Sequence, residues 1–242
     1  PTMLSARDLA PAPAERRLQF ALGVEETELD PAWHNFVETP HLVAFGDTES
    51  GKTNLLRLIA KGVTDRFSPA EARILAVDFR RELVEWVPEE YRLGHAVSVD
   101  QLDEYVQGAA RAMTTRAPGA DITPARMRLA DWWVGPRLFV LVDDYDLVAS
   151  PGRSPLDPLL PHLPLGYEVG LHVIVTRSAA NSMRGLNDPL VRRLLEVNSP
   201  GLLMSCPPTE GYVFGNVKPR LLPAGRDSYI TRRSVTQIQT AF

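Results

Sequence analysis

Residues Gly46-Asp47-Thr48-Glu49-Ser50-Gly51-Lys52-Thr53 fit the pattern G-x-x-x-x-G-K-[ST]. Such a segment suits an anion. Glycines let backbone N–H groups close around phosphate oxygens, and the following helix aims its free N–H groups and positive dipole end at the charge. Lys52 is then placed to reach the β- and γ-phosphates, and the Thr53 hydroxyl to ligate Mg²⁺. Asn54, next in the chain, shares the first helical turn and is taken as part of the same binding segment.

Phosphate chemistry on such a loop also needs a carboxylate at the end of a neighbouring buried strand. Leu138–Val142 (LFVLV) followed by Asp143-Asp144 supplies it. Asp143 is the candidate for the Mg²⁺ shell. Asp144 stands where many such sites carry a glutamate that orients the attacking water. Aspartate is one methylene shorter, which sets its carboxylate roughly 1.5 Å back, and catalysis is sensitive to misplacement of that size.

Other residues carry weaker signals. Glu49 is an acid inside a phosphate loop and faces either outward or toward a neighbouring subunit. Thr176, ending a later apolar run, either senses the γ-phosphate or caps a turn. Arg177, Arg192 and Arg193 are read as surface ion pairs rather than arginine fingers. His41, His95 and His172 each stand just before an apolar run, at the edge opposite the one where open parallel sheets bind ligands. No paired Cys/His spacing suggests a transition metal. Cys206 reads as a half-buried thiol, and Trp132-Trp133 as core packing.

The elements that must position these residues follow from periodicity. His41–Phe45, Arg73–Asp78, His95–Val99, Leu138–Val142, Leu171–Val175 and Leu202–Ser205 are short apolar runs that fit buried strands. Between them lie helical patterns. One runs from Thr53 through Leu55, Leu56, Ile59, Ala60 and Val63. A second is opened by Ser98 and Gln101 and carries Leu102, Tyr105, Val106, Ala109 and Met113. A third is Thr123–Ala130, with proline in its first turn, and a fourth starts at Asp188-Pro189. Leu18–Val24 alternates as a strand, Glu25–Asp30 reads as a solvated turn, and Phe36-Val37 as a short edge strand. The tail predicts paired edge strands, Arg220–Leu222 and Ser228–Thr231, around Pro223–Gly225. Strands apolar on both faces, alternating with helices, predict an α/β fold: a mostly parallel central sheet with helices on both faces.

Composition agrees. The 242 residues are 44% hydrophobic and 23% charged, with 26 Lys+Arg against 30 Asp+Glu. That describes an ordinary globular chain, not a disordered one. No apolar run reaches the ~20 residues of a membrane span. The net charge of −4 leans against nucleic acid as a partner. A single cysteine excludes an internal disulfide framework and suits a reducing compartment. The first residue is Pro1 and no signal pattern follows, so a piece of a longer protein is expected. Residues 1–17 read as a linker or strap, and 18–242 as one domain.

The segments FGDTESGKTNLLR, AVDFRREL, WWVGPRLFVLVDDYDLVA, GLHVIVTRS and LLPAGRDSYITRR together resemble the FtsK/SpoIIIE-type ATPase domains of the EccC family of type VII (ESX) secretion, most closely the C-terminal, third domain. The resemblance covers about Leu18 to Arg233. It implies a RecA-like P-loop fold, ATP and Mg²⁺ as cofactors, and a cytoplasmic place at the inner (plasma) membrane through the parent complex. The partners it implies are upstream ATPase domains, a membrane-anchored secretion complex and small helical WXG-type substrates, with a homo-oligomeric ring in the parent. By motif position, phosphate binding falls on Gly46–Thr53 and the acidic role on Asp143 and Asp144, while Pro223–Gly225, with Gly225, resembles the segment bordering the base. Downstream domains of this family often bind nucleotide tightly and hydrolyse it weakly, which the shorter Asp144 matches. The rival readings are a fully active hydrolase driving export and a DNA translocase.

Overall fold

The computed structural model describes residues 3–150, 153–180, 188–214 and 216–242. Among these residues, ten strands form one sheet: β1 (Gln19–Glu25), β2 (Pro31–Asn35), β3 (Leu42–Gly46), β4 (Ala72–Val77), β5 (Arg92–Ala96), β6 (Arg137–Val142), β7 (Leu171–Ser178), β8 (Gly201–Leu203), β9 (Arg226–Ile230) and β10 (Val235–Thr240). Their order is β2-β1-β10-β9-β8-β3-β7-β6-β4-β5. From β8 to β5 the pairs are parallel, and from β8 to β2 they are antiparallel. β7 thus lies between β3 and β6, so the phosphate loop and the acidic pair leave the sheet two strands apart at one edge. This is the RecA-like arrangement.

Among the described residues, five α-helices accompany the sheet: α1 (Lys52–Arg66), α2 (Val99–Thr115), α3 (Pro124–Leu129), α4 (Gly166–Val169) and α5 (Pro189–Glu196). On one face, Leu55, Leu56, Ile59 and Val63 of α1 pack with Phe20, Phe36, Phe139 and Ile174. On the other, α2 and α5 bring Leu102, Val106, Met113, Leu190 and Leu194 onto Val43, Leu75, Val140 and Val173. β3 and most of β6 and β7 are buried on both faces, which explains their unbroken apolar runs. The predicted helix starts hold: Thr123 Oγ1 accepts from Arg126 N, and Asp188 Oδ1 from Leu190 N and Val191 N. Among the described residues, no helix is long and apolar enough to cross a membrane.

Several expectations need correction. The strand expected at His95–Val99 is β5, Arg92–Ala96, so it ends three residues early. Gln101 Oε1 takes the Val97 N–H and Ser98 Oγ caps α2, which diverts the chain from the ladder. His95 therefore sits near the carboxyl end of its strand, not before it, and its Nε2 lies 3.2 Å from Asp78 Oδ2. His172 is the second residue of β7, and His41 alone of the three immediately precedes its strand. The edge strand is β2, Pro31–Asn35, and Phe36 is instead a fully buried core residue. Arg220–Leu222 is not a strand, and Leu221 is largely exposed. The tail hairpin is β9–β10, turning at residues 231–234.

Cys206 is fully buried rather than half-buried, and burial pushes its thiol up to about 11. Trp132 and Trp133 lie at the rim of the core. Their indole N–H groups donate to Arg116 O and Glu168 O, and the Trp133 ring stacks under the Arg116 guanidinium. Together they tie the end of α2 to the segment before β7.

Candidate functional site

The phosphate loop is shaped by its glycines. A Cβ on Gly46 would stand 2.1 Å from Ser50 Oγ and 2.9 Å from Met204 Cβ, so the close approach of the loop to β8 requires glycine there. Gly51, the residue before α1, has φ +106°, a conformation that side chains rarely adopt. Glu49 holds φ 61° without being glycine and is exposed. Asp47 Oδ1 accepts from Thr48 N at 2.8 Å, and Asp47 N donates to Ser205 O. The buried Ser50 hydroxyl faces Met204 Sδ.

Lys52 is 9% exposed. Its Nζ donates to Asp47 O at 2.8 Å and Gly46 O at 3.3 Å, and lies 3.6 Å from Asp144 Oδ1. A cation is thus held against the loop by two of the loop's own carbonyls, beside Asp144. The Thr53 hydroxyl donates to Asp143 Oδ2 at 2.7 Å, and the Thr176 hydroxyl to Asp143 Oδ1 at 2.9 Å. Asp143 is almost fully buried. Burial raises its pKa, and the two hydroxyls work against that rise by stabilising the anion. Thr176 also accepts from Asp144 N at 3.1 Å, so it caps the turn after β6 as well as bracing Asp143.

Asp144 occupies the left-handed region, φ 44° and ψ 60°, a strained backbone at the site. Its carboxylate sits between two cations, Lys52 Nζ and Arg80 Nε, the latter 3.2 Å from Oδ2. Arg80 follows β4 and was not anticipated. The signal was present, because residues just beyond a strand adjoining β6 must stand beside Asp143-Asp144, but it needed the strand order. Arg57, Glu82 and Leu147 complete a cavity of about 540 Å³ over Lys52, Thr53, Arg80 and Asp144. Arg177 is buried and pairs with Asp146 at 2.6 Å, correcting its reading as a surface pair. Arg192 and Arg193 do form surface pairs, both with Glu196.

A second cavity, about 310 Å³, lies beyond Glu49–Gly51, bordered by Met3, Asn54, Ala224, Gly225, Asp227, Gln239, Thr240 and Phe242. Gly225 has φ +73°, and a Cβ there would stand 2.5 Å from Gln239 Nε2. Asn54 Nδ2 donates to Ala241 O at 2.7 Å, tying α1 to the end of β10. Burial pushes the Asp227 carboxyl up to about 7, although the Thr240 hydroxyl donates to it. Of the predicted site residues, 48–54, Asp144 and Gly225 border these two adjoining cavities, whereas Gly46, Asp47, Asp143 and Thr176 line neither; Asp143 contacts Thr53, and Thr176 braces Asp143.

Mg²⁺ fits the donors present. A threonine hydroxyl and a carboxylate 2.7 Å apart offer hard oxygen ligands. No group of three or more His, Cys, Asp or Glu suited to a metal exists among the described residues. Magnesium does not require one, since it keeps waters and binds through one or two protein oxygens plus phosphates.

The fold and the loop define a RecA-like P-loop NTPase. No family profile matches the chain. It is 42% identical over 243 residues to the ESX secretion system protein EccC of Thermomonospora curvata, covering all of this chain and 18% of that protein. It is 36% identical over 223 residues to EccC4 of the ESX-4 system of Mycobacterium tuberculosis, again 18% of the relative's length. Among solved structures, the cytoplasmic domain of the T. curvata type VII secretion ATPase EccC superposes with a TM-score of 0.93 at 41% identity, covering the whole chain and 28% of that one. ATPases 2 and 3 of the same protein, in complex with a signal sequence peptide, give 0.93 at 42%, covering the whole chain and 43% of that one. The chain belongs to the EccC family of FtsK/SpoIIIE-type ATPase domains, and its ATPase neighbours imply that it binds nucleotide. It spans about a fifth of the length of the curated relatives it matches.

Proposed function

We propose that the chain is an ATP-binding module of a type VII secretion ATPase, corresponding to the third ATPase domain of that protein. Lys52 and the N–H groups of residues 46–53 hold the triphosphate. Thr53 and Asp143 would hold Mg²⁺, which when bound neutralises phosphate charge and fixes the triphosphate. The observation that carries this reading is the chain of contacts from Thr53 through Asp143 to Thr176, beside a lysine buried against its own loop.

Weak or absent hydrolysis is the favoured consequence. The Asp144 carboxylate is engaged by Lys52 and Arg80 and is one methylene shorter than glutamate, so it is poorly placed to orient an attacking water. Within the parent, the module would work beneath a membrane-anchored complex on the cytoplasmic side, beside upstream ATPase domains, and contribute to recognition of small helical WXG-type substrates. The T. curvata neighbour solved with a signal sequence peptide supports that last part. Equilibrium titration with Mg-ATP tests the core of the reading. Saturable binding should be lost or weakened about a hundredfold in Lys52→Ala, the scale of a buried charge-assisted contact. An affinity that Lys52→Ala leaves unchanged overturns it.

A further inference from the structure

The cavity beyond Glu49–Gly51 contains one feature that phosphate binding does not use. Asp227 is 1% exposed, and its Oδ1 has no hydrogen-bond partner, while Oδ2 accepts from the Thr240 hydroxyl. Of the residues bordering this cavity, Asp227 alone has a buried side-chain polar atom left without a partner among the described residues. Leaving such an atom unpaired is costly, and a protein tolerates it where a ligand supplies the missing partner.

We propose that Asp227 reads the base of the bound nucleotide, its Oδ1 accepting from the 6-amino group of adenine and so favouring adenosine over guanosine nucleotides. The inference rests on the reading that residues 46–53 hold a nucleoside triphosphate. About 310 Å³ accommodates a purine. The exposed Met3 and Phe242 side chains border it, a thioether and a phenyl ring suited to flank a flat base. They are held together by backbone pairing, Phe242 N to Leu4 O at 2.9 Å and Ala6 N to Phe242 O at 2.8 Å. The N-terminal strap is thereby a wall of the site. Gly225 lets the backbone approach without a side chain filling the space.

The donor inventory separates the two purines. Adenine presents a donor, the 6-amino group, where guanine presents the O6 acceptor. Each side-chain amide bordering the cavity has one N–H engaged, Asn54 Nδ2 on Ala241 O and Gln239 Nε2 on Ala224 O. Guanine O6 placed against Asp227 Oδ1 would set acceptor against acceptor. An adenine amino group meets an open acceptor.

Competition binding on the 242-residue chain tests this at pH 8.5, where the Asp227 carboxyl, held up to about 7, is ionised and Oδ1 only accepts, with ATP, GTP, purine riboside triphosphate (which lacks the 6-amino group), 2′-deoxy-ATP and inorganic tripolyphosphate. The expected result is about tenfold weaker binding of both GTP and purine riboside triphosphate than of ATP, the scale of one buried hydrogen bond. Asp227→Ala should erase that preference without changing tripolyphosphate affinity, and Asp227→Asn, which keeps an acceptor, should retain it. The analogue series on the unaltered chain decides the matter even if Asp227→Ala does not fold. Equal binding of ATP and purine riboside triphosphate overturns the proposal, as does a preference for GTP. A loss confined to 2′-deoxy-ATP assigns Oδ1 to the ribose and also overturns it. If tripolyphosphate and every nucleotide fail to bind, the underlying phosphate-site reading fails instead.

Discussion

The two edges of the parallel sheet carry opposite chemistry on the same strands. At the carboxyl edge stand Gly46, which ends β3, Asp143, which follows β6, and Thr176, near the end of β7, with Lys52, Arg80 and Asp144 in ionic contact and Asp144 in a strained backbone. At the amino edge stand His41 and His172, fully buried and neutral. His41 Nδ1 accepts from Val173 N while Nε2 donates to Leu163 O, and His172 Nδ1 donates to Pro40 O. The Phe139 ring stacks on His172 at 4.5 Å. One edge keeps charges close and lets a cavity reach them. The other gives the ring nitrogens of His41 and His172 internal partners and packs His172 among aromatics. The difference separates binding from stability within a single sheet.

The largest effect expected is at the amino edge. Phe139→Ala should cost about 3–5 kcal/mol of stability by denaturant unfolding, because it empties the ring cluster of Phe20, Phe36 and His172. Nucleotide affinity of the folded protein should be unchanged. A large loss of affinity would break the separation.

Acid should attack the same edge. Burial holds His34 down to about 3 and His41 down to about 4, and His172 well below its ordinary value. A folded-state pKa below the unfolded one means that the unfolded chain binds more protons. Stability is therefore intact above about pH 6.5 and falls as pH drops from there toward 4. By pH 5, His41 alone removes about 2 kcal/mol. Asp227, held up to about 7, opposes this trend, since its neutral form favours the folded state at low pH. Unfolding midpoints across pH 7.5 to 4.5 check the sum, and a stability that does not fall contradicts the neutral-histidine account.

Smaller effects belong to the carboxyl edge. Thr53→Val removes one of the two hydroxyls on Asp143 and should cost about 1–2 kcal/mol of stability and about tenfold in Mg-ATP affinity. Asp144→Asn removes an anion beside the triphosphate site, and ATP affinity should rise severalfold with the fold intact. A true hydrolase would instead lose turnover in Asp144→Asn, so a steady-state phosphate-release assay distinguishes the two.

Legibility in the sequence followed the same division. Gly46–Thr53 and Asp143-Asp144 are local patterns, and their contact through Thr53 follows once both strands are parallel and neighbours of β7. The buried runs of β3, β6 and β7 were readable because burial on both faces leaves no polar interruption. The tail was not. VTQIQT of β10 alternates polar residues, and its partner β1 lies more than two hundred residues away, with Gly23 opposite Thr240. Without that pairing, the cavity formed by Met3, Asp227 and Phe242 has no local signature. Arg80 escaped for a related reason, since its place beside Asp144 depends on β4 adjoining β6. His95 misled because the apolar run HAVSV continues past the point where the Ser98 and Gln101 cap stops the strand.

The most direct test of the central claim is calorimetric titration of the unaltered chain with ATP, with and without Mg²⁺, at pH 7.5. The account predicts saturable one-to-one binding that Mg²⁺ tightens, through Thr53 and Asp143. A chain that unfolds cooperatively yet shows no saturable binding in either condition would contradict it.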